Sequence, residues 1–204
     1  MLTDLHLRPA GTVRGAVTRD LIVAATADLM ARGGVTATSL DAVRAATGTS
    51  KSQLYHYFAD KADLVRAVVR HHADAVVAAQ QLVEDPPGTP AALARWRYRV
   101  VAAQRARGFA AGCPLGSLAA ELGGTGHSAR ADLAEAFRRW QDLLARALAD
   151  GVRGGTLPTG LDPAAGAVAL VTAVQGGSVL AAVEDRAAPL QTALELAVEQ
   201  LLRD

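Results

Sequence analysis

Apolar residues recur along this chain at intervals of three and four, the spacing that lines one face of an α-helix. From Thr18 onward Ile22, Ala25 and Leu29 share a face, with Thr18 as the cap and Gly33-Gly34 as the stop. Thr38 or Ser39 caps a short second helix that buries Leu40, Val43 and Ala46. Thr47-Gly48-Thr49 reads as a turn, Ser50 caps a third helix over Lys51–Tyr57, and Asp60 caps a long fourth one reaching about Gln81 or Asp85. Asp85-Pro86-Pro87-Gly88-Thr89-Pro90 then breaks the pattern. Periodicity resumes over Ala91–Arg107 (Leu93, Trp96, Val100) and restarts at Pro114. After Gly123-Gly124-Thr125-Gly126 it runs from Ser128 to Asp150, with Leu133, Phe137, Trp140 and Leu144 in register. Gly151, Gly154, Gly155 and Pro158 end that helix, Asp162-Pro163 opens another to Val183, and Ala188-Pro189 opens the last, with Leu190, Leu194, Ala197 and Leu201 in register. No stretch alternates with the period of a strand. The pattern predicts an all-α chain of about nine helices. It divides into a flexible N-terminal arm (1–17), a three-helix domain (18–72) and a C-terminal helical bundle (73–204).

Composition agrees with helix and with a buried core. Half of the 204 residues are hydrophobic, 20% are charged, and alanine is abundant. Pro163 to Val183 is 21 residues without a charge, long enough to span a bilayer. Its Gly166, Thr172, Gln175, Gly176, Gly177 and Ser178, and its acidic flanks Asp162, Glu184 and Asp185, argue instead for a helix buried in a soluble oligomer, with no membrane. No apolar run follows the first charges, so no signal peptide is expected. The single cysteine, Cys113, forms no internal disulfide and fits a reducing, cytoplasmic setting.

Net charge is only +1, but residues 1–72 hold nine Lys or Arg against six Asp. The only two lysines of the chain are Lys51, the first residue of the third helix, and Lys61, just beyond that helix. Three short helices with a glycine in the middle turn suit a helix-turn-helix, whose last helix enters the major groove while the one before crosses the backbone. Lys51 and Lys61 supply cations for phosphate. Thr38, Thr49, Ser50 and Tyr55 supply hydroxyls, and Gln53 and His56 are candidates for base edges. Small Ser52 lets the backbone approach. The helix N-termini at Ser39 and Ser50 offer N–H groups to phosphate. Leu54 and Phe58 are the apolar pegs.

Residues 18–66 resemble the DNA-binding domain of the TetR family of transcriptional repressors. The strings that carry the likeness are Ala37-Thr38-Ser39-Leu40, Gly48-Thr49-Ser50-Lys51-Ser52, and Leu54-Tyr55-His56-Tyr57-Phe58 followed by Lys61. Ser52 departs from the Gly or Ala frequent there. The resemblance implies DNA contacts at Thr38, Thr49, Ser50, Lys51, Tyr55, His56 and Lys61, most of them to phosphate, which positions without specifying. It further implies a homodimer on a palindromic, double-stranded DNA operator, released by a small-molecule effector. Gly112-Cys113-Pro114-Leu115-Gly116, Trp140, Gly151 and the Gly176-Gly177 helix resemble the LmrA/YxaF-like subgroup, often linked to drug-responsive control of efflux.

Two surfaces beyond the DNA-binding unit follow. Trp96, Phe109, Phe137 and Trp140 either fill the core or line a pocket for an apolar or aromatic effector, with Gln175, Arg97 and Tyr98 as polar candidates. The last two helices are the expected dimer surface, through Ala169, Ala173, Gly176 and Gly177 with Leu190, Leu194 and Leu201. Other chemistry is absent from the pattern. No carboxylate pair or triad suggests an enzyme. Gly123–Gly126 lacks the Lys of a phosphate loop. His71 and His72 diverge on a helix, so no metal or cofactor is expected. Two rivals stay open: a redox-sensing repressor using Cys113 at a helix start, and a helix-turn-helix protein acting through protein partners.

Overall fold

In the computed structural model the described residues are 13–81, 88–124 and 128–203. Among them the secondary structure is helical throughout: α1 Val13–Ala37, α2 Leu40–Thr47, α3 Lys51–Tyr57, α4 Lys61–Gln81, α5 Pro90–Arg107, a 3₁₀ turn Phe109–Ala111, α6 Pro114–Leu122, α7 Arg130–Arg153, α8 Pro163–Glu184 and α9 Ala188–Leu201. The expected all-α architecture of about nine helices is borne out, with nine α-helices among the described residues. The chain divides into two compact units, one ending at Val68 and the other beginning at Val69.

In the first unit α1 begins at Val13, five residues before the expected cap Thr18, which lies inside the helix. The expected arm therefore shortens at its inner end, and its residues 1–12 lie outside the described ones. The physical reason is exposure. Val13 and Val17 are 84% and 61% exposed, so this first turn buries no face and leaves no apolar rhythm to read. Gly34 interrupts α1 with φ 80° and ψ 167°, a backbone conformation available only to glycine. Ile22, Val23, Met30, Val35, Val43, Leu54, Phe58, Leu64, Val65 and Val68 are buried, from all four helices. Each contributes about 1.5–3 kcal/mol by leaving water.

The second unit is built around α8. It packs against α7 on one side and α9 on the other, and α5 closes on α9. Leu93, Trp96, Trp140, Leu144, Leu148, Leu170, Val174, Leu190, Leu194 and Leu201 belong to one buried cluster. Side-chain caps fix two starts: Thr89 accepts from Ala92 N at α5, and Asp162 accepts from Ala164 N and Ala165 N at α8, each followed by proline at the first helical position. Arg70–Asp132 (2.7 Å) and Arg139–Asp74 (2.8 Å) join the later part of α4 to α7, and Arg97–Glu195 (3.0 Å) joins α5 to α9. Such solvent-facing pairs contribute little each, about 0.2–1 kcal/mol.

Of the expected breakers Gly151, Gly154, Gly155 and Pro158, Gly154 caps the end of α7 after Arg153, while Gly151 lies inside the helix. The glycine serves a crossing instead. A Cβ on Gly151 would collide with the Gly88 carbonyl, and one on Gly88 with the Ala147 carbonyl. Thr156 Oγ1 lies 3.1 Å from both the Gly88 and the Gly151 carbonyls and shares its one proton between them, which locks that crossing. Helix α8 is the described helix long and apolar enough to cross a membrane by length and composition. Its Gly166, Ala167, Leu170, Val171, Val174, Gly177, Ser178 and Ala181 are buried within the bundle.

Candidate nucleic-acid interface and effector cavity

The turn between α2 and α3 is held by hydrogen bonds that the sequence dictates. Ser39 Oγ accepts from Ala42 N (3.1 Å) and starts α2. Gly48 ends α2 at φ 66°, with its N–H on the Arg44 carbonyl. Thr47 Oγ1 donates to the Val43 carbonyl (2.9 Å) and lies 2.8 Å from Thr49 Oγ1, bracing the turn. Ser50 and Gln53 then form a reciprocal capping box. Ser50 Oγ accepts from Gln53 N (3.1 Å) while Gln53 Oε1 accepts from Ser50 N (2.9 Å). That box explains how a helix of seven residues holds its shape. At its far end Phe58 is buried and the Arg19 guanidinium of α1 lies 5.3 Å from its ring centroid. Asp60 Oδ1 accepts from Asp63 N (2.7 Å) and Asp63 Oδ2 from Ala59 N (3.2 Å), setting the start of α4.

The expected DNA-facing residues divide by exposure. Ser39, Ser50, Lys51, Ser52, Gln53, Tyr55 and His56 are exposed, and Thr49 and Lys61 half-buried. Lys61 Nζ donates to the Thr36 carbonyl (3.2 Å). Thr38 is the correction. It is buried, and its hydroxyl donates to the Gly34 carbonyl (2.8 Å), so it steadies the approach to α2 rather than reaching outward.

The second unit contains a cavity of about 280 Å³. Its lining comes from α4, α5, α7 and α8, with Cys113 and Pro114 at the start of α6. Of the effector candidates, only Trp140 lines it. Trp96 is fully buried core; the i, i+4 spacing that flagged it is the spacing of a core face. Phe109 packs partly buried against that core. Phe137 and Gln175 border a separate shallow depression with Gly116, Gly176, Val179 and Leu180. Arg97 is paired with Glu195, and Tyr98 is exposed.

Gln104 was missed. It is 2% exposed and lies on the cavity wall, where its Oε1 accepts from Ser178 Oγ at 2.8 Å. The signal was present: Gln104 falls four residues after Val100 and eight after Trp96, on the face expected to be apolar. Cys113 is half-buried on the same wall, accepting from Gln175 Nε2 at 3.4 Å.

The dimer expectation also needs correction. Gly177, Leu190, Leu194 and Leu201 are buried inside the subunit, because the apolar stripe of α9 lies on its own α8. A Cβ on Gly177 would stand 2.8 Å from Leu190 Cα. Ala169 and Gly176 are exposed and Ala173 half-buried. The exposed apolar side chains of these helices are Val168, Val179, Leu180, Val183 and Leu196.

A capped helix-turn-helix unit joined to a helical domain with its own cavity is the build of a helix-turn-helix transcriptional regulator. Residues 22–68 match the family described as bacterial regulatory proteins, tetR family, and residues 91–197 match the tetracyclin repressor-like C-terminal domain. The chain belongs to the TetR family of transcriptional regulators. It is 29% identical over 190 residues to the transcriptional regulator AcuR of Cereibacter sphaeroides, covering 91% of this chain and 85% of that one. An uncharacterized HTH-type transcriptional regulator of Lactococcus lactis is 28% identical over 138 residues, covering 64% of this chain and 68% of its own. Among solved structures, regulatory protein TetR from Rhodobacter sphaeroides shares the fold with a TM-score of 0.79 at 23% identity, over 90% of this chain and 98% of that one.

Proposed function

We propose that this chain is a repressor that binds a palindromic operator as a homodimer and leaves it when a small effector enters the cavity of the second unit. The observation that carries the reading is the conjunction of an exposed, doubly capped recognition helix with a mostly apolar cavity elsewhere in the chain. Residues 18–72 are the DNA-binding part and 73–204 the effector-binding and dimerising part. Lys51, Tyr55, Lys61 and the N-termini at Ser39 and Ser50 hold phosphate, with Thr49 beside them; Ser52, Gln53 and His56 face the bases. The effector site is the cavity containing Trp140 and Gln104, in a cytoplasmic protein without catalytic function. The dimer surface is the outward face of α8 with α9, through Val168, Thr172, Gly176, Val179 and Val183, which recur three or four apart, together with Leu196. The Gly112–Gly116 string supports kinship with the LmrA/YxaF-like subgroup.

Two recognition helices then sit ~34–36 Å apart on successive major grooves. An effector releases DNA only through unequal affinity for the two states of the dimer, about 10⁴-fold for a shift from 99:1 to 1:99. Footprinting of purified protein on the DNA upstream of its own gene tests the reading. A protected palindrome supports it; protection that lacks two-fold symmetry, or none at all, overturns it.

A further inference from the structure

Two of the residues that line the cavity each carry a buried nitrogen donor that no described group of the chain satisfies. Trp140 Nε1 and Gln104 Nε2 have no hydrogen-bond partner among the described residues, and both residues are 2% exposed. An indole N–H donates and never accepts. The amide oxygen of Gln104 is already taken by Ser178, which leaves its nitrogen end for something else. A buried donor left unserved costs about 1–3 kcal/mol, so such groups mark places where an acceptor enters. The rest of the lining sets the character of that acceptor. It is mainly apolar (Val76, Val100, Val174 and three alanines), with His72 and Arg107 as its basic members and no Asp or Glu among the described residues. At about 280 Å³ the cavity lies just below the ~300–1,000 Å³ usual for drug-sized ligands.

We infer that the effector is a small, largely apolar molecule carrying a carbonyl-type oxygen, as a carboxylate, amide or ketone, which accepts from Trp140 and Gln104. This rests on the reading of the cavity as the effector site and deepens it. A molecule whose polar end is a cationic donor is refused, because it would bring donors to donors and find no acid on the wall. A hydrocarbon of the same shape enters but leaves both donors unserved. The difference is about tenfold in affinity for one such hydrogen bond.

The test uses the full-length protein with ¹⁵N-labelled tryptophan and five probes of similar size: benzoate, benzamide, cyclohexanone, toluene and benzylamine. Binding is followed by titration and by the indole N–H resonances, that of Trp140 assigned by its loss in Trp140→Phe. The expected result is that the three oxygen-bearing probes shift the Trp140 resonance downfield and bind at least tenfold more tightly than toluene, with benzylamine weakest. Benzoate against benzamide tells a carboxylate preference from a neutral carbonyl one. Within each of Gln104→Leu and Trp140→Phe, the advantage of the oxygen-bearing probes over toluene is expected to shrink towards equality. Equal binding of toluene and benzoate, strongest binding by benzylamine, or no binding by any probe overturns the inference. A gel-shift arm with operator DNA separates the two readings. If toluene alone releases the DNA, the effector site stands and the oxygen requirement falls. If benzoate or benzamide moves the Trp140 resonance without releasing DNA, the ligand chemistry stands and the effector role falls.

Discussion

Gly48 shows how much one residue does in a turn this tight. Its φ of 66° lies in the left-handed region, while a Cβ added there meets nothing within 4 Å. The cost of Gly48→Ala is therefore one of backbone conformation, about 1 kcal/mol. A lowered urea midpoint with an unchanged slope would register it, and Gly48→Asn is expected to lose less. Gln53 carries two duties, because its side chain both caps α3 and faces outward. Gln53→Ala removes half of the capping box and any base contact together. Gln53→Glu keeps an acceptor for Ser50 N. It is expected to retain thermal stability within about 0.5 kcal/mol, a fraction of what a lost cap costs. On a panel of operator variants it shifts base preference at one position of each half-site, and unchanged preference there would remove Gln53 from the readout. The cations act differently: Lys51→Ala weakens binding to every sequence and lowers the log–log salt slope by ~0.9 per subunit.

At the scale of elements, rhythm in the sequence reported burial and nothing else. That was enough to find every helix with a buried face, and it placed α2, the turn and α3 where they form. It failed wherever a helix has no buried face, as at Val13–Val17, and wherever a glycine is present for a close approach rather than a stop, as at Gly151. Nor does an apolar stripe say what will cover it. Leu190, Leu194 and Leu201 make a stripe that would suit a second subunit, but α8 of the same subunit covers it. The cavity was legible only in part, since one of its two unserved donors, Gln104, sits on a face where only apolar residues were sought. The neighbouring glycines of α8 separate these roles by experiment. Gly177→Ala drives a methyl against Leu190 Cα and is expected to cost about 1–3 kcal/mol. Gly176→Ala meets nothing within 4 Å and is expected to stabilise the subunit by up to ~1 kcal/mol through helix propensity. Chemical denaturation of both variants, at a dilution where the protein is monomeric, compares them directly, and loss of stability in Gly176→Ala there would contradict this packing.

For the molecule as a whole, the outward face of α8 is the test of assembly. Val179 and Val183 are 62% and 81% exposed, so a charge there disturbs no packing within the subunit. Val179→Glu is expected to keep its helical circular dichroism while sedimenting as a monomer at micromolar concentration. Operator affinity should fall with it, since one half-site cannot replace two. A dimeric Val179→Glu variant would move the interface elsewhere.

The capping box at the head of α3 has a consequence for how such a regulator changes its target over generations. Position 53 is held to residues whose side chains reach back to the Ser50 N–H, which leaves Gln and Glu as the practical choices. New operator preferences would then arise first at exposed neighbours such as Ser52, while position 53 drifts slowly under the demands of its own helix.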